Sequence, residues 1–300
     1  VIIREIRGFP TDTSKSLNLG YNFCSPYRQQ EVLVMEAKGR QLEALLKEMA
    51  GVLVAFSGGV DSSVLLTAAH KALGDSVVAV TGTSASVPAH DLESAKTISS
   101  RLGVRWITLE SGELDDQHYK DNPRNRCYFC KKSLFTRLVE RASEERLPFV
   151  VEGSNTDDLT DIRPGMAAAR ELGIRSPFLE VGIGKELIRR LAKYYGLPNC
   201  DKPSSPCLAS RIPYGELITP ECLGRIDRCE SLLRNMGFSQ LRVRDHGTLA
   251  RVEILPEDMG RLFKNGLREA VVAACKDAGY TFVTLDLQGY RTGAMHEAFA

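Results

Sequence analysis

The chain has little of what would assign it to a special class. It carries one tryptophan among 300 residues, and aromatic residues make up 7% of it. No apolar run reaches the roughly 18 residues of a membrane-spanning helix. No positively charged start feeds an apolar segment ending at small residues, so no secretory leader is expected either. The expected compartment is the cytoplasm, with no membrane partner. A dominant charge is also lacking: Lys+Arg 39 against Asp+Glu 38 leaves a formal net charge of +1, which excludes a whole-molecule field drawing the protein onto nucleic acid. Any anion must be held by local basic residues. Eight cysteines in 300 residues are too few for a disulfide scaffold.

What is present is an alternation of strand-like and helical runs. A helical pattern over EVLVMEAKGRQLEALLKEM leads to VLVAF at 52 to 56, then SSVLLTAAHKAL; SVVAVTG at 76 to 82 precedes PAHDLESAKTISSRLG; VRWITLE at 104 to 110 and PFVVEG at 148 to 153 follow. This is the pattern of an α/β fold with a doubly wound parallel sheet, whose ligands bind at the carboxyl ends of the strands. A further helix is expected from Lys185 to Tyr195, and the turn formers of GLPNCDKPSSP mark a boundary. The remainder reads helix (PECLGRIDRCESLLRNM), strand, strand, one helix over PEDMGRLFKNGLREAVVAACKDAG, and strand. Three parts are therefore expected: an irregular extension at 1–30, a sheet domain at 31–205, and a smaller α+β domain at 206–300.

Ser57-Gly58-Gly59-Val60-Asp61-Ser62 stands between the first strand and its helix. The glycines permit a tight turn and close backbone approach, and the helix terminus offers N–H donors to phosphate. Ser57 and Ser62 add hydroxyls, while Asp61 either orients the loop or helps hold Mg2+. The segment is neither GxxxxGK[ST] nor GxGxxG. It resembles the PP-loop of ATP pyrophosphatases (adenine nucleotide alpha hydrolase-like fold), which adenylate a carbonyl or carboxylate and release pyrophosphate. By that resemblance Thr81, Gly82 and Thr83, at the next strand end, are adenosine-pocket candidates; the alternative is a polar strand exit. GSNTDDLTDIRPG after the fourth strand supplies Asn155, Asp157, Asp158, Asp161 and Arg163: carboxylates for Mg2+ and an arginine for phosphate, or a solvated acidic loop.

Cys127 and Cys130 share a CxxC, which serves a metal or a redox dithiol equally well. The third thiol is Cys207 in KPSSPCLASR, where Lys202 and Arg211 suggest an electropositive exit. Three thiolates suit a [4Fe–4S] cluster with one open iron; zinc completed by Cys200 or a histidine is the competitor. Cys24, Cys222, Cys229 and Cys275 read as packed or incidental. Arg242 and Arg244 alternate on a strand and so share a face, fit for a two-arginine phosphate clamp or for solvent. Glu230 either orients Arg242 or binds a cation, or is a surface glutamate, and Arg211 is a further candidate. Trp106 reads as core packing, and His246 as a polar turn residue.

Together the PP-loop, EGSNTDDLTDIRPG, SPFLE, KPSSPCLASRIPYG and LRVRDH…ARVE resemble the LarE family of ATP-dependent sulfur transferases, from about residue 37 onward. The resemblance implies adenylation of the carboxylates of pyridinium-3,5-biscarboxylic acid mononucleotide and their conversion to thiocarboxylates, for the nickel-pincer cofactor of lactate racemase. Some members sacrifice the cysteine at the place of Cys207. Members with the added CxxC hold a [4Fe–4S] cluster, which by resemblance sits on Cys127, Cys130 and Cys207 and carries sulfide from an upstream donor. The resemblance also implies that Arg242 and Arg244 hold the substrate phosphate, and that the protein is a homo-oligomer, hexamers included. The rival readings are a [4Fe–4S]-dependent tRNA thiolase, which calls for a basic surface or RNA module, and a zinc-stapled nucleotide-binding protein.

Overall fold

A computed structural model describes residues 26–160 and 164–291. The first half runs α1 (Pro26–Glu48), β1 (Val52–Ala55), α2 (Val60–Leu73), β2 (Val77–Thr83), α3 (Ala89–Leu102), β3 (Arg105–Glu110), α4 (Gln117–Lys120), α5 (Arg126–Glu144), β4 (Phe149–Val151), α6 (Pro164–Glu171), α7 (Pro177–Val181) and α8 (Lys185–Tyr194). The second half holds α9 (Pro220–Asn235), β5 (Leu241–His246), β6 (Leu249–Ile254), α10 (Leu267–Asp277) and β7 (Phe282–Leu285).

The first four strands form one parallel sheet in the order β3-β2-β1-β4. Strand order reverses beside β1, and such a switch point opens a crevice at the strand ends. Helices cover both faces. On one, Leu65 and Leu66 of α2 pack with Leu42 and Leu46 of α1 and with α8; on the other, Phe135 and Leu138 of α5 pack with Leu53 and Val80. β1 is buried on both faces, which is why VLVA reads as an unbroken apolar run.

The smaller unit is a three-stranded sheet in the order β5-β6-β7, with β5 and β6 antiparallel and β7 parallel to β6. Its core joins Leu233 of α9 and Val271 of α10 to Val243, Ala250 and Val252. The single helix expected over 256–279 is instead a 3-10 segment, Pro256–Phe263, followed by α10. Asn265 at φ +55° and Gly266 at φ +70° break it, because a right-handed helix cannot pass through two left-handed residues. α4, α5, α6 and α7 are elements that the sequence pattern does not predict.

A buried seam joins the two units, made by Tyr119 of α4 with Leu208, Ile212, Ile218, Leu223 and Ile226. The segment between the units docks back on the larger one: Leu208 N donates to Ser86 O at 2.8 Å, and Ile218 N to Lys120 O at 2.8 Å. Buried Asn122 donates to Ile212 O and Pro213 O and accepts from Arg126 at the start of α5. Among the described residues no helix is long and apolar enough to cross a membrane.

Candidate active site

The turn after β1 is shaped by its glycines. Gly58 lies at φ +70°, and a β-carbon there would stand 2.8 Å from Ala95 N of α3. Gly59 caps α2 in extended conformation without a side-chain hydrogen bond, so the first N–H groups of the helix are left for an anion. Ser57 Oγ and Ser62 Oγ lie 3.1 Å apart, and Ser57 Oγ accepts from Gly59 N at 3.3 Å. Behind the loop, Asn199 donates to Gly58 O at 3.1 Å and to Ser63 Oγ at 3.0 Å. The exit of β4 closes in beside it, where a β-carbon on Gly153 would stand 3.2 Å from Ser62 N.

Asp61 pairs through Oδ2 with Lys185 Nζ, and its buried Oδ1 has no partner among the described residues. An orphaned buried carboxylate oxygen beside a phosphate-binding turn suits the Mg2+ role expected of Asp61. Lys185 was missed as a site residue. It opens α8, its own N–H donates to Asp157 Oδ2 at 2.6 Å, and it reaches the loop across 124 positions. The signal was Gly184-Lys185 at a helix start.

The GSNTDD carboxylates are engaged in shaping their loop. Asp158 accepts from Asn155 N at 3.0 Å, and Asn155 Oδ1 accepts from Asp157 N at 3.1 Å. Asp161 and Arg163 lie outside the described residues. Thr81 is buried, donating to Phe56 O at 2.6 Å and accepting from Trp106 Nε1 at 2.8 Å. Its hydroxyl thus ties β2 to the phosphate turn, and Trp106 is a polar tether as well as packing. Thr83 O accepts from Ser111 N at 3.0 Å. Gly82 is needed for packing: a β-carbon would meet Leu134 at 2.7 Å.

The cysteines of interest converge at the same sheet edge. Cys127 and Cys130 are the second and fifth residues of α5, and Cys130 and Cys207 pack against the one seam that also holds Tyr119. Burial pushes the Cys130 thiol well up, and Glu113, Cys207 and Cys127 add to that. Glu113, also missed from sequence, is buried and accepts from the hydroxyls of Ser84, Ser86 and Ser111. The electropositive exit expected around Cys207 is compensated: Lys202 pairs with Asp91 at 2.8 Å and Arg211 with Glu230 at 2.8 Å. Among the described residues no three His, Cys, Asp or Glu side chains are grouped to hold one metal ion. Cys130 lies within electrostatic reach of both Cys127 and Cys207, and thiolate donors are the chemistry an iron–sulfur cluster requires.

Cys200 is half-buried, with its thiol 3.5 Å from Asp201 Oδ2. Cys222 completes the capping box of α9 with the N-cap Thr219, its thiol accepting from Thr219 N at 3.3 Å. Cys229 and Cys275 are buried in the smaller core, and Cys24 lies outside the described residues.

Glu230 is fully buried, which corrects the surface reading. It holds Arg211 through two bonds, Arg234 at 3.0 Å and Val243 N at 3.0 Å. It thereby links the PCLASR loop to the stretch of β5 between the two arginines. Burial opposes its charge, but Arg211, Arg234 and the Val243 N–H outweigh that and hold its carboxyl below the usual range. Arg244 is likewise engaged, paired with Glu253 through two bonds and donating to Ser210 O at 2.8 Å. Arg242, also buried, has no carboxylate partner among the described residues. Burial lowers its pKa, and Arg211 lowers it further. His246 is exposed at the end of β5.

A family model described as NAD synthase matches residues 39–138, the stretch that carries the phosphate turn. An uncharacterised protein of Synechocystis sp. is 40% identical over 88% of this chain and 98% of its own length. The pyridinium-3,5-bisthiocarboxylic acid mononucleotide synthase of Lactiplantibacillus plantarum is 35% identical over 88% of this chain and 95% of its own. An NH3-dependent NAD+ synthetase of Hyperthermus butylicus is 32% identical over 59% of this chain. With a phosphate turn at the switch point and relatives matched along nearly their whole length, this chain belongs to the LarE family, that of pyridinium-3,5-bisthiocarboxylic acid mononucleotide synthase.

Proposed function

We propose that this protein is an ATP-dependent sulfur transferase that converts the carboxylates of pyridinium-3,5-biscarboxylic acid mononucleotide to thiocarboxylates, as a step towards a nickel-pincer cofactor. The observation that carries this reading is that the phosphate turn and the Cys207 loop open on one sheet edge, Leu208 N being tied to Ser86 O just beyond β2. Activation and sulfur delivery then need no long transfer of the activated intermediate.

The substrate carboxylate attacks the α-phosphorus of ATP and pyrophosphate leaves. A sulfur nucleophile then attacks the acyl carbon and AMP leaves. The N–H groups opening α2, with Ser57, Ser62 and Lys185, receive the charge that builds on pyrophosphate. Mg2+ held by Asp61 would neutralise the same oxygens. Thr83, with backbone at the end of β2, borders the adenosine. A [4Fe–4S] cluster on Cys127, Cys130 and Cys207 would supply, when bound, the sulfide as nucleophile. Arg242, supported by the Arg211–Glu230 and Arg244–Glu253 pairs, takes the substrate phosphate. The chain works in the cytoplasm as a homo-oligomer, up to a hexamer by family resemblance.

The test is anaerobic protein given ATP, the biscarboxylate mononucleotide and a sulfide source. AMP, pyrophosphate and thiocarboxylate are expected, with iron and acid-labile sulfide present and lost in Cys130→Ala. Absence of thiocarboxylate would sink the reading; zinc without iron, or loss of the Cys207 sulfur during turnover, would remove the cluster from it.

A further inference from the structure

The arginines around the buried carboxylates of the smaller unit are not alike. Arg211, Arg225, Arg234, Arg244 and Arg251 each hold a carboxylate within 4 Å. Arg242 holds none among the described residues, although β6 places Glu253 directly opposite it in register. Among the described residues its polar partners are the Leu241 carbonyl at 2.7 Å and the Tyr290 hydroxyl at 3.5 Å, and its guanidinium lies over the Tyr290 ring at 5.0 Å. These engage only part of its five-donor fork.

The chain after β7 is built to put that ring there. Gly289 turns at φ +73°, where a β-carbon would stand 2.8 Å from Ile254 O, and Tyr290 N then donates to the same Ile254 O at 2.7 Å. This bond ties the segment to the end of β6, beside Arg242 on β5.

We propose that Tyr290 is a positioning residue that fixes the buried Arg242 guanidinium by its ring face, orienting it for the substrate phosphate without neutralising it. The proposal rests on the reading of Arg242 as the phosphate ligand. A carboxylate at this place would orient the guanidinium equally well, but would cancel its charge and occupy its fork. An aromatic face attracts a cation and leaves its in-plane N–H donors available. The ring also offsets the burial of a charge that has no carboxylate within 4 Å among the described residues.

The test is calorimetric binding of pyridinium-3,5-biscarboxylic acid mononucleotide and of its 5′-dephosphorylated nucleoside to the full chain. The quantity read is the preference for the phosphorylated form, expected at about 30-fold in the wild type for a charge-assisted guanidinium contact. Tyr290→Phe keeps the face and is expected to retain most of that preference. Tyr290→Leu is expected to lower it about tenfold, close to Arg242→Ala, with the ATP-induced shift in thermal midpoint unchanged. If Tyr290→Leu keeps the preference while Arg242→Ala loses it, the proposal fails and the Arg242 reading stands. If Arg242→Ala keeps it, that reading fails and takes the proposal with it. Equal weakening of both ligands by Tyr290→Leu would mean a merely structural ring, and a loss in Tyr290→Phe as large as in Tyr290→Leu would assign the effect to the hydroxyl; either overturns the proposal.

Discussion

At the residue scale, two positions carry the sharpest expectations. Gly58 has both a left-handed backbone and the α3 main chain where a side chain would go, since its β-carbon would approach Ala95 N to 2.8 Å. Gly58→Ala is therefore expected to cost about 1–3 kcal/mol of stability and to abolish the rise in thermal midpoint produced by ATP, which differential scanning fluorimetry reads. Lys185 is paired with Asp61, and under the proposed function it meets the charge that develops on pyrophosphate. Lys185→Met is expected to lower the rate of AMP formation about 10²-fold while the folded baseline is kept, and an unchanged rate would remove it from the site. The six residues of the phosphate turn were readable because a strand, a turn and a helix contiguous in sequence build them. Lys185 had only a helix start to mark it, and its partner is 124 positions away.

At the element scale, α9 couples the thiol-bearing loop to β5 through one carboxylate, Glu230. Replacing it by alanine leaves Arg211 buried and unpaired, an expected loss of about 3–5 kcal/mol. The pH dependence follows from the carboxyl being held below its unfolded value near 4.5. The stability it contributes is fully present above about pH 4.5 and is lost as pH falls through its lower folded value. The thermal midpoints of wild type and Glu230→Gln should therefore differ most at neutral pH and converge in acid; a gap independent of pH would overturn this. Periodicity placed α9 correctly but left Glu230 open between a site role and a solvent face, because a glutamate in a helical pattern fits either until the arginines that surround it are located. The break before α10 shows the reverse case: its cause, Asn265-Gly266, is local and visible in the sequence, but it lies within an otherwise continuous helical pattern.

At the scale of the whole molecule, the two units are held by an apolar seam contributed largely by the segment that connects them. Cutting the chain after residue 205 leaves Tyr119 and its neighbours without Leu208, Ile212 and Ile218. The isolated 31–205 fragment is expected to bind a hydrophobic dye and to melt below the intact chain; equal midpoints would mean that the seam contributes little. The same seam brings the CxxC helix and Cys207 together over the sheet edge, which spacing alone left open. By itself the sequence determined the parallel sheet, the phosphate turn and the paired face of Arg242 and Arg244, since each follows from periodicity or from contiguous residues. Only the tertiary structure decided that Arg244 is neutralised by Glu253, that Arg242 is left to Tyr290, and that Lys185 reaches Asp61. Those outcomes depend on which distant side chains share a buried space. There an ion pair or a ring contact sets a residue's charge and orientation, and no local pattern records the partner.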